Sequence, residues 1–267
     1  MKRVLSVQDL SCVGKCSLTV AMPVLSAMGC TCVPLPTGIF SSHTAFPDPH
    51  IRDLTEEIAP ICRHWQSIGA GFDAICVGYL ASEAQANAVS ELLDKFPSFV
   101  VLDPVMGDNG KLYSGISPQR VESLRSLCKR ADVLLPNVTE AALLAGLPYQ
   151  QTADIVYYRQ LAEGLQALGY HTFLITGACL SSDTVGFFGI DKGEEISYQG
   201  PLLTRRTHGT GDLFAAVFTG AMAKGKTVKE AAVMAADFVA RCLAATSDAT
   251  PFGICFESQL SALWEGA

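Results

Sequence analysis

The chain has 267 residues, of which 49% are hydrophobic, and a formal net charge of −7. That length supports one α/β domain, or one domain with a small lid. An acidic balance without a basic block argues against non-specific nucleic-acid binding, yet leaves room for a local phosphate site.

The first ten residues, "MKRVLSVQDL", are interrupted by Gln8 and Asp9, so they read as a strand rather than a signal peptide. No uncharged apolar run reaches the roughly 18 residues of a membrane helix. A cytoplasmic chain without membrane contact is expected. Ten cysteines occur, with no Cys-x-x-Cys and no zinc spacing. They read as small buried hydrophobes in a reducing compartment. Cys12 and Cys16, near the first loop, are the pair that invites a redox reading.

In chain order, 3–8 reads as a strand, 17–29 as a helix ending at Gly29, and 30–36 as a second strand. The stretch 36–50, "PTGIFSSHTAFPDPH", is polar and proline-bounded, and suggests a mobile flap over a site. Strands are expected at 73–80, 98–105, 132–137 and 171–177, with helices at 82–95, 117–130, 138–146 and 151–168. This alternation implies βαβ units, a mostly parallel sheet, and helices on both faces. The segments 184–190 and 194–200, separated by Asp-Lys-Gly, predict an antiparallel hairpin at the sheet edge. Helices at 210–224 and 227–246 close the pattern. There is no repeat and no linker, so 1–267 reads as one domain.

In an open parallel sheet the ligand lies beyond the carboxyl ends of the strands. There the sequence places Gln8 and Asp9, then His43 and Thr44, Tyr79, Asp103 and Asp108, Asn137 and Glu140, Thr176 and Gly177, and finally "RRTHGTGDLF". Arg205 and Arg206 open this last motif. Gly209, Thr210 and Gly211 allow a tight turn whose free N–H groups form an anion pocket at a helix start. A carboxylate there, Asp212, makes sense as a general base beside a transferring phosphoryl group. A plain helix cap is the alternative. No Gly-x-x-x-x-Gly-Lys-Ser/Thr occurs, and the first turn lacks Gly-x-Gly-x-x-Gly, so any nucleotide must be held by the late turn. Asp103, Asp108 and Glu140 suit Mg²⁺, which keeps several waters and takes only one or two carboxylates plus substrate phosphates. Each alone also reads as a loop or capping carboxylate. His43 and Thr44 suit a heteroaromatic ligand, and Tyr79 and Phe46 suit a flat ring.

On "SVQD" (6–9), "FSSHTAF" (40–46), "GYLAS" (78–82), "DPVMGDNGKLY" (103–113), "LPNVTEAALL" (135–144) and "THGTGDLF" (207–214), the chain resembles the ribokinase-like superfamily and its pyridoxal/pyridoxamine kinase branch. The resemblance runs from about Val4 to Ala244. It implies a three-layer α/β/α sandwich with a mostly parallel central sheet and an edge β-hairpin. It further implies ATP- and Mg²⁺-dependent phosphorylation of the hydroxymethyl group of a vitamin B6 vitamer, in a homodimer, with a monovalent cation as an open question. Asp212 would be the base, and Gly209, Thr210 and Gly211 the anion hole. Asp103 and Asp108 would lie at the triphosphate and metal, with Glu140 acting through the metal or its water. Asn137, Thr176, Gly177, Thr207 and His208 would serve the nucleotide. Asp9, His43, Thr44 and Tyr79 would face the ring.

Asp9 stands where close relatives carry Ser, which suggests that pyridoxamine or pyridoxine competes well with pyridoxal. His208 is similar to the turn of hydroxymethylpyrimidine kinases, although those carry Cys at the place of Asp212; that substrate is the alternative. Sugar kinases of the superfamily carry an early β lid, for which 36–70 is too short and too helical. A non-catalytic regulator is disfavoured by the intact turn and Asp212.

Overall fold

A computed structural model describes residues 1–113, 116–151, 154–203, 207–247 and 252–265. Arg205 and Arg206 lie outside them, as do two residues near the expected start of the 151–168 helix.

Strand β1 (Arg3–Ser11) leads through α1 (Ser17–Ala27) to β2 (Thr31–Phe40), followed by β3 (Ile51–Asp53) and α2 (Thr55–Ser67). Next come β4 (Ala74–Val77), α3 (Glu83–Lys95) and β5 (Phe99–Leu102). A small ribbon, β6 (Gly107–Asp108) with β7 (Lys111–Leu112), precedes α4 (Pro118–Cys128). Then follow β8 (Val133–Leu134), α5 (Val138–Ala145), α6 (Ile155–Ala167) and β9 (Thr172–Ala178). The hairpin of β10 (Thr184–Asp191) and β11 (Glu194–Pro201) leads to α7 (Thr210–Ala223), α8 (Val228–Ala245) and α9 (Ser261–Glu265).

One sheet of order β11-β10-β9-β8-β5-β4-β1-β2-β3 organises the chain. Strands β9, β8, β5, β4, β1 and β2 run parallel. The hairpin β10–β11 and the short β3 add antiparallel edges. The central strands are apolar on both faces, as burial on two sides requires. Along β1 and β4, Leu5, Val7, Ile75 and Val77 point to the layer of α2 to α6, whereas Val4, Ala74 and Cys76 meet α1, α7 and α8. The α/β/α sandwich with an edge hairpin is therefore the fold. Among the described residues, no helix is long and apolar enough to cross a membrane.

Two expectations are corrected. Strand β2 does not stop at residue 36. Pro34 and Pro36, which cannot donate to a ladder, sit opposite Ser6 and Gln8; the register shifts past Gln8, and Gly38 to Phe40 then pair with β3. The loop expected at 36–50 therefore begins at Ser41. Strand β8 shrinks to two residues, because Pro136 and Asn137 already turn toward α5.

Candidate active site

The site forms where the parallel strands end and α7 begins. Gly209 holds a left-handed conformation (φ +88°) before the first turn of α7. A Cβ there would lie 2.1 Å from the Lys15 carbonyl oxygen, so only glycine lets the turn press against the loop after β1. A Cβ at Gly220 would lie 2.7 Å from the Met28 sulfur, so the small residues of α7 let it lie against α1. The helix also packs on β1, β4 and β5, which aims its head at the strand ends.

Asp212, in that first turn, is half-buried. Burial raises its carboxyl to about 6; the backbone amide of Ser17 pulls the other way, and the charge of Asp9 adds to the rise. Ser17 is itself unusual, a non-glycine residue at φ +49°. Its hydroxyl donates to Asp9 Oδ1 (2.6 Å), while the Ser11 hydroxyl donates to Oδ2 (2.8 Å). Asp9, buried, thus turns its oxygens to the start of α1 and its charge toward Asp212. Its own carboxyl is raised by burial, against the two hydroxyl bonds. Burial and then the charges of Asp212 and Asp9 push the Cys16 thiol up to about 12, which disfavours the thiolate that a redox role needs.

A second group lies at the end of β5. Asp103 is raised well above the usual carboxyl range by burial, then by Glu140 and Asp212. Glu140 is fully buried. Its Oε1 accepts from the amides of Met106 (2.8 Å) and Gly107 (3.4 Å), and its Oε2 from that of Asn137 (2.9 Å). Asn137 caps α5 by accepting from the Glu140 amide (3.0 Å), and its side-chain amide donates to the Gly107 carbonyl (2.8 Å). The two residues form a capping box that clasps the loop after β5 onto α5. Even so, burial raises Glu140 to about 7.

Asp108 does not join this cluster: it is exposed at the tip of the β6–β7 ribbon, where its oxygens accept from Asn109. Among the described residues, no three His, Cys, Asp or Glu side chains form a metal-holding group. The expected ligand trio of Asp103, Asp108 and Glu140 is therefore not assembled, since Glu140 is committed to backbone amides and Asp108 points outward. What remains is Asp103 crowded by two other carboxylates, the donor chemistry that a phosphate-borne divalent cation relieves.

Thr176 lies beside Asn137 and donates its amide to the Pro136 carbonyl (2.8 Å). Gly177 follows, exposed and left-handed at φ +69°. Thr207 is half-buried. At the other end His43 is buried. Its ring lies 4.7 Å from that of Phe46 and 5.0 Å from that of His208, and Phe46 in turn meets Phe252 at 5.9 Å. His208 thus pins the loop carrying His43 to the glycine turn. Thr44 is exposed. Tyr79 is half-buried, edge-on to Phe40 at 6.0 Å and beneath the Arg120 guanidinium at 4.9 Å.

The structure therefore sets His43, Thr44 and Tyr79 at one end and Asn137, Thr176 and Gly177 at the other, with Asp103 and Asp212 between. Sequence reasoning missed Ser17, Arg120 and Phe252. Ser17 and Phe252 carry no local motif. Arg120 was visible only as one more charge on a surface helix.

A family model described as phosphomethylpyrimidine kinase matches residues 24–253. The chain belongs to that family. The structure superposes on pyridoxal kinase from Lactobacillus plantarum with a TM-score of 0.91 and 33% identity, covering 99% of this chain and 97% of that one. A Bacteroides thetaiotaomicron protein provisionally named a phosphomethylpyrimidine kinase, crystallised in one form with pyridoxal, gives a TM-score of 0.92 at 33% identity over 98% and 95% of the two chains. The pyridoxine kinase of Bacillus subtilis is 32% identical over 185 residues, which span 64% of each chain. The family is one of phosphotransferases, and the ribokinase-like resemblance of the motifs holds for the whole sheet.

Proposed function

We propose that the protein is an ATP-dependent kinase that phosphorylates the hydroxymethyl group of vitamin B6 vitamers. The observation that carries this reading is Asp212: a carboxyl raised to about 6, set among the free amides at the head of α7 and facing the strand ends. A base is most effective with an affinity for protons near working pH. Asp212 takes the proton of the acceptor hydroxyl, and the amides after Gly209 stabilise negative charge on the transferring group. Asp103 would hold Mg²⁺ together with the nucleotide phosphates, and the ion would neutralise their charge. Glu140 acts behind it by fixing the loop that carries Asp103. Thr176, Gly177, Asn137, Thr207 and His208 serve the nucleotide side. Thr44, Tyr79 and the His43–Phe46 loop receive the ring and exclude water.

Relatives named for pyridoxal and pyridoxine support the B6 substrate. The family description, with His208 before the turn, favours hydroxymethylpyrimidine as the second reading. ADP release is to be measured with pyridoxal, pyridoxamine, pyridoxine, hydroxymethylpyrimidine and ribose. The B6 reading expects the highest kcat/KM with a vitamer. A clear preference for the pyrimidine overturns it, and tight vitamer binding without turnover indicates a regulator.

A further inference from the structure

Arg120 lies in the first turn of α4, whose start is capped by the Ser117 hydroxyl. The residue is only 7% exposed, and its guanidinium lies over the Tyr79 ring. Its Nε and Nη2 atoms are buried and have no hydrogen-bond partner among the described residues. These two nitrogens share one edge of the planar group, the edge that presents two parallel N–H bonds to an oxyanion. Arginine does not escape burial by losing its proton. The face of one tyrosine offsets only part of the desolvation of a full positive charge. The free protein thus holds a cation whose natural complement is an anion.

Position selects the source of that anion. Tyr79 follows β4, at the acceptor end with His43 and Thr44, whereas the nucleotide residues follow β8 and β9. We propose that the Arg120 edge binds an ionised oxygen on the ring of the acceptor and thereby selects such rings over aminopyrimidines. This inference rests on the B6 reading. A B6 vitamer carries a ring hydroxyl that the electron-poor pyridine keeps ionised near neutral pH. Hydroxymethylpyrimidine presents an amino group instead, which offers the fork no negative oxygen.

The test compares wild type with Arg120→Met and Arg120→Lys, using pyridoxine, 3-deoxypyridoxine and hydroxymethylpyrimidine as acceptors. For pyridoxine, kcat/KM should fall at least about tenfold in Arg120→Met, the usual worth of a charge-assisted bond. The preference for pyridoxine over its 3-deoxy analogue should collapse, the KM for ATP should hold, and Tm should not fall, because an unpaired buried charge has been removed. Arg120→Lys, with charge but no fork, should recover part of the preference. Equal losses with all acceptors together with a lower Tm would make Arg120 a packing residue and overturn the inference. A rise confined to the KM for ATP would also overturn it by placing the anion on the nucleotide. No turnover of pyridoxine by wild type would sink the B6 reading and this inference together, whereas normal turnover with an unchanged preference in Arg120→Met would sink this inference alone.

Discussion

Replacing Asp212 by Asn separates what its carboxylate does for catalysis from what it costs the fold. Its carboxyl rises from an ordinary 3.8 to about 6. The folded protein therefore binds that proton more tightly than the unfolded chain. Stability falls as pH rises from about 4 to about 6, and stays lower above that window. Two units at about 1.4 kcal/mol each give a cost of about 3 kcal/mol at neutral pH, an upper value for a half-buried group. Asn keeps the shape and an oxygen for the Ser17 amide but carries no charge. Asp212→Asn should thus raise Tm at pH 7.5 by several degrees, given about 2–4 °C per kcal/mol at this chain length. It should lower kcat by about 10²–10⁴-fold with little change in the KM for ATP. Calorimetry at pH 4 and pH 7.5 reads the first effect, which should vanish at the lower pH. Steady-state ADP release reads the second. In wild type the acid limb of kcat should have its midpoint near 6, and the residual activity of the variant should lack that limb. A variant within about threefold of wild type in kcat, or one that melts earlier at pH 7.5, would remove Asp212 from the role of base.

Three further outcomes test the scaffold around it. Gly209→Ala places a Cβ against the Lys15 carbonyl at a left-handed position, where the obstacle is backbone, and should cost at least about 2 kcal/mol in thermal unfolding; an unchanged Tm would mean that the turn is not packed this way. Glu140→Ala strands the amides of Met106 and Asn137, at about 1–3 kcal/mol each, and should lower both Tm and kcat; loss of activity at full Tm would instead favour a direct metal role. Asp9→Asn removes a charge that raises Asp212, so the acid limb of kcat should move to lower pH while the ranking of vitamers stays as it was; a changed ranking would return Asp9 to the ring.

Much of this could be read from residues because the strands are short, apolar and followed by polar groups. The alternation around β1, β4 and β5 and the Asp-Lys-Gly hairpin come from local chemistry, and the hairpin edge formed as expected. What escaped depends on distance in sequence. Glu140 looks like a metal ligand in isolation; only the fold shows that its Oε1 receives amides from the loop up to 34 residues earlier. Asp108 looks equivalent to Asp103, but the ribbon turns it outward. Two prolines hid the second half of β2, because the register shift and the pairing with β3 that accommodate them are tertiary. His208, unexplained from its motif, acquires a partner in His43, 165 positions away.

Asp212 and Arg120 pose the same physical problem with opposite sign. Each is at least partly withdrawn from water; Asp212 is only partly offset, by the Ser17 amide and the head of α7, and the buried Nε and Nη2 of Arg120 have no hydrogen-bond partner among the described residues. The charge of Asp9 aggravates the first imbalance, and the Tyr79 face only softens the second. A fold selected for stability alone would neutralise both, since unpaired buried charges are among the most costly features of an interior. Their retention along one strand edge is understandable if the ligands complete them: a hydroxyl proton for Asp212 and a ring oxygen for Arg120. Binding energy gained at Arg120, away from the reacting atom, would then hold the hydroxymethyl group against the base, where it acts on kcat rather than on affinity alone. Arg120→Met should accordingly lower kcat as well as raise KM for pyridoxine. A variant that changes KM alone would show that the fork anchors the ring without orienting it.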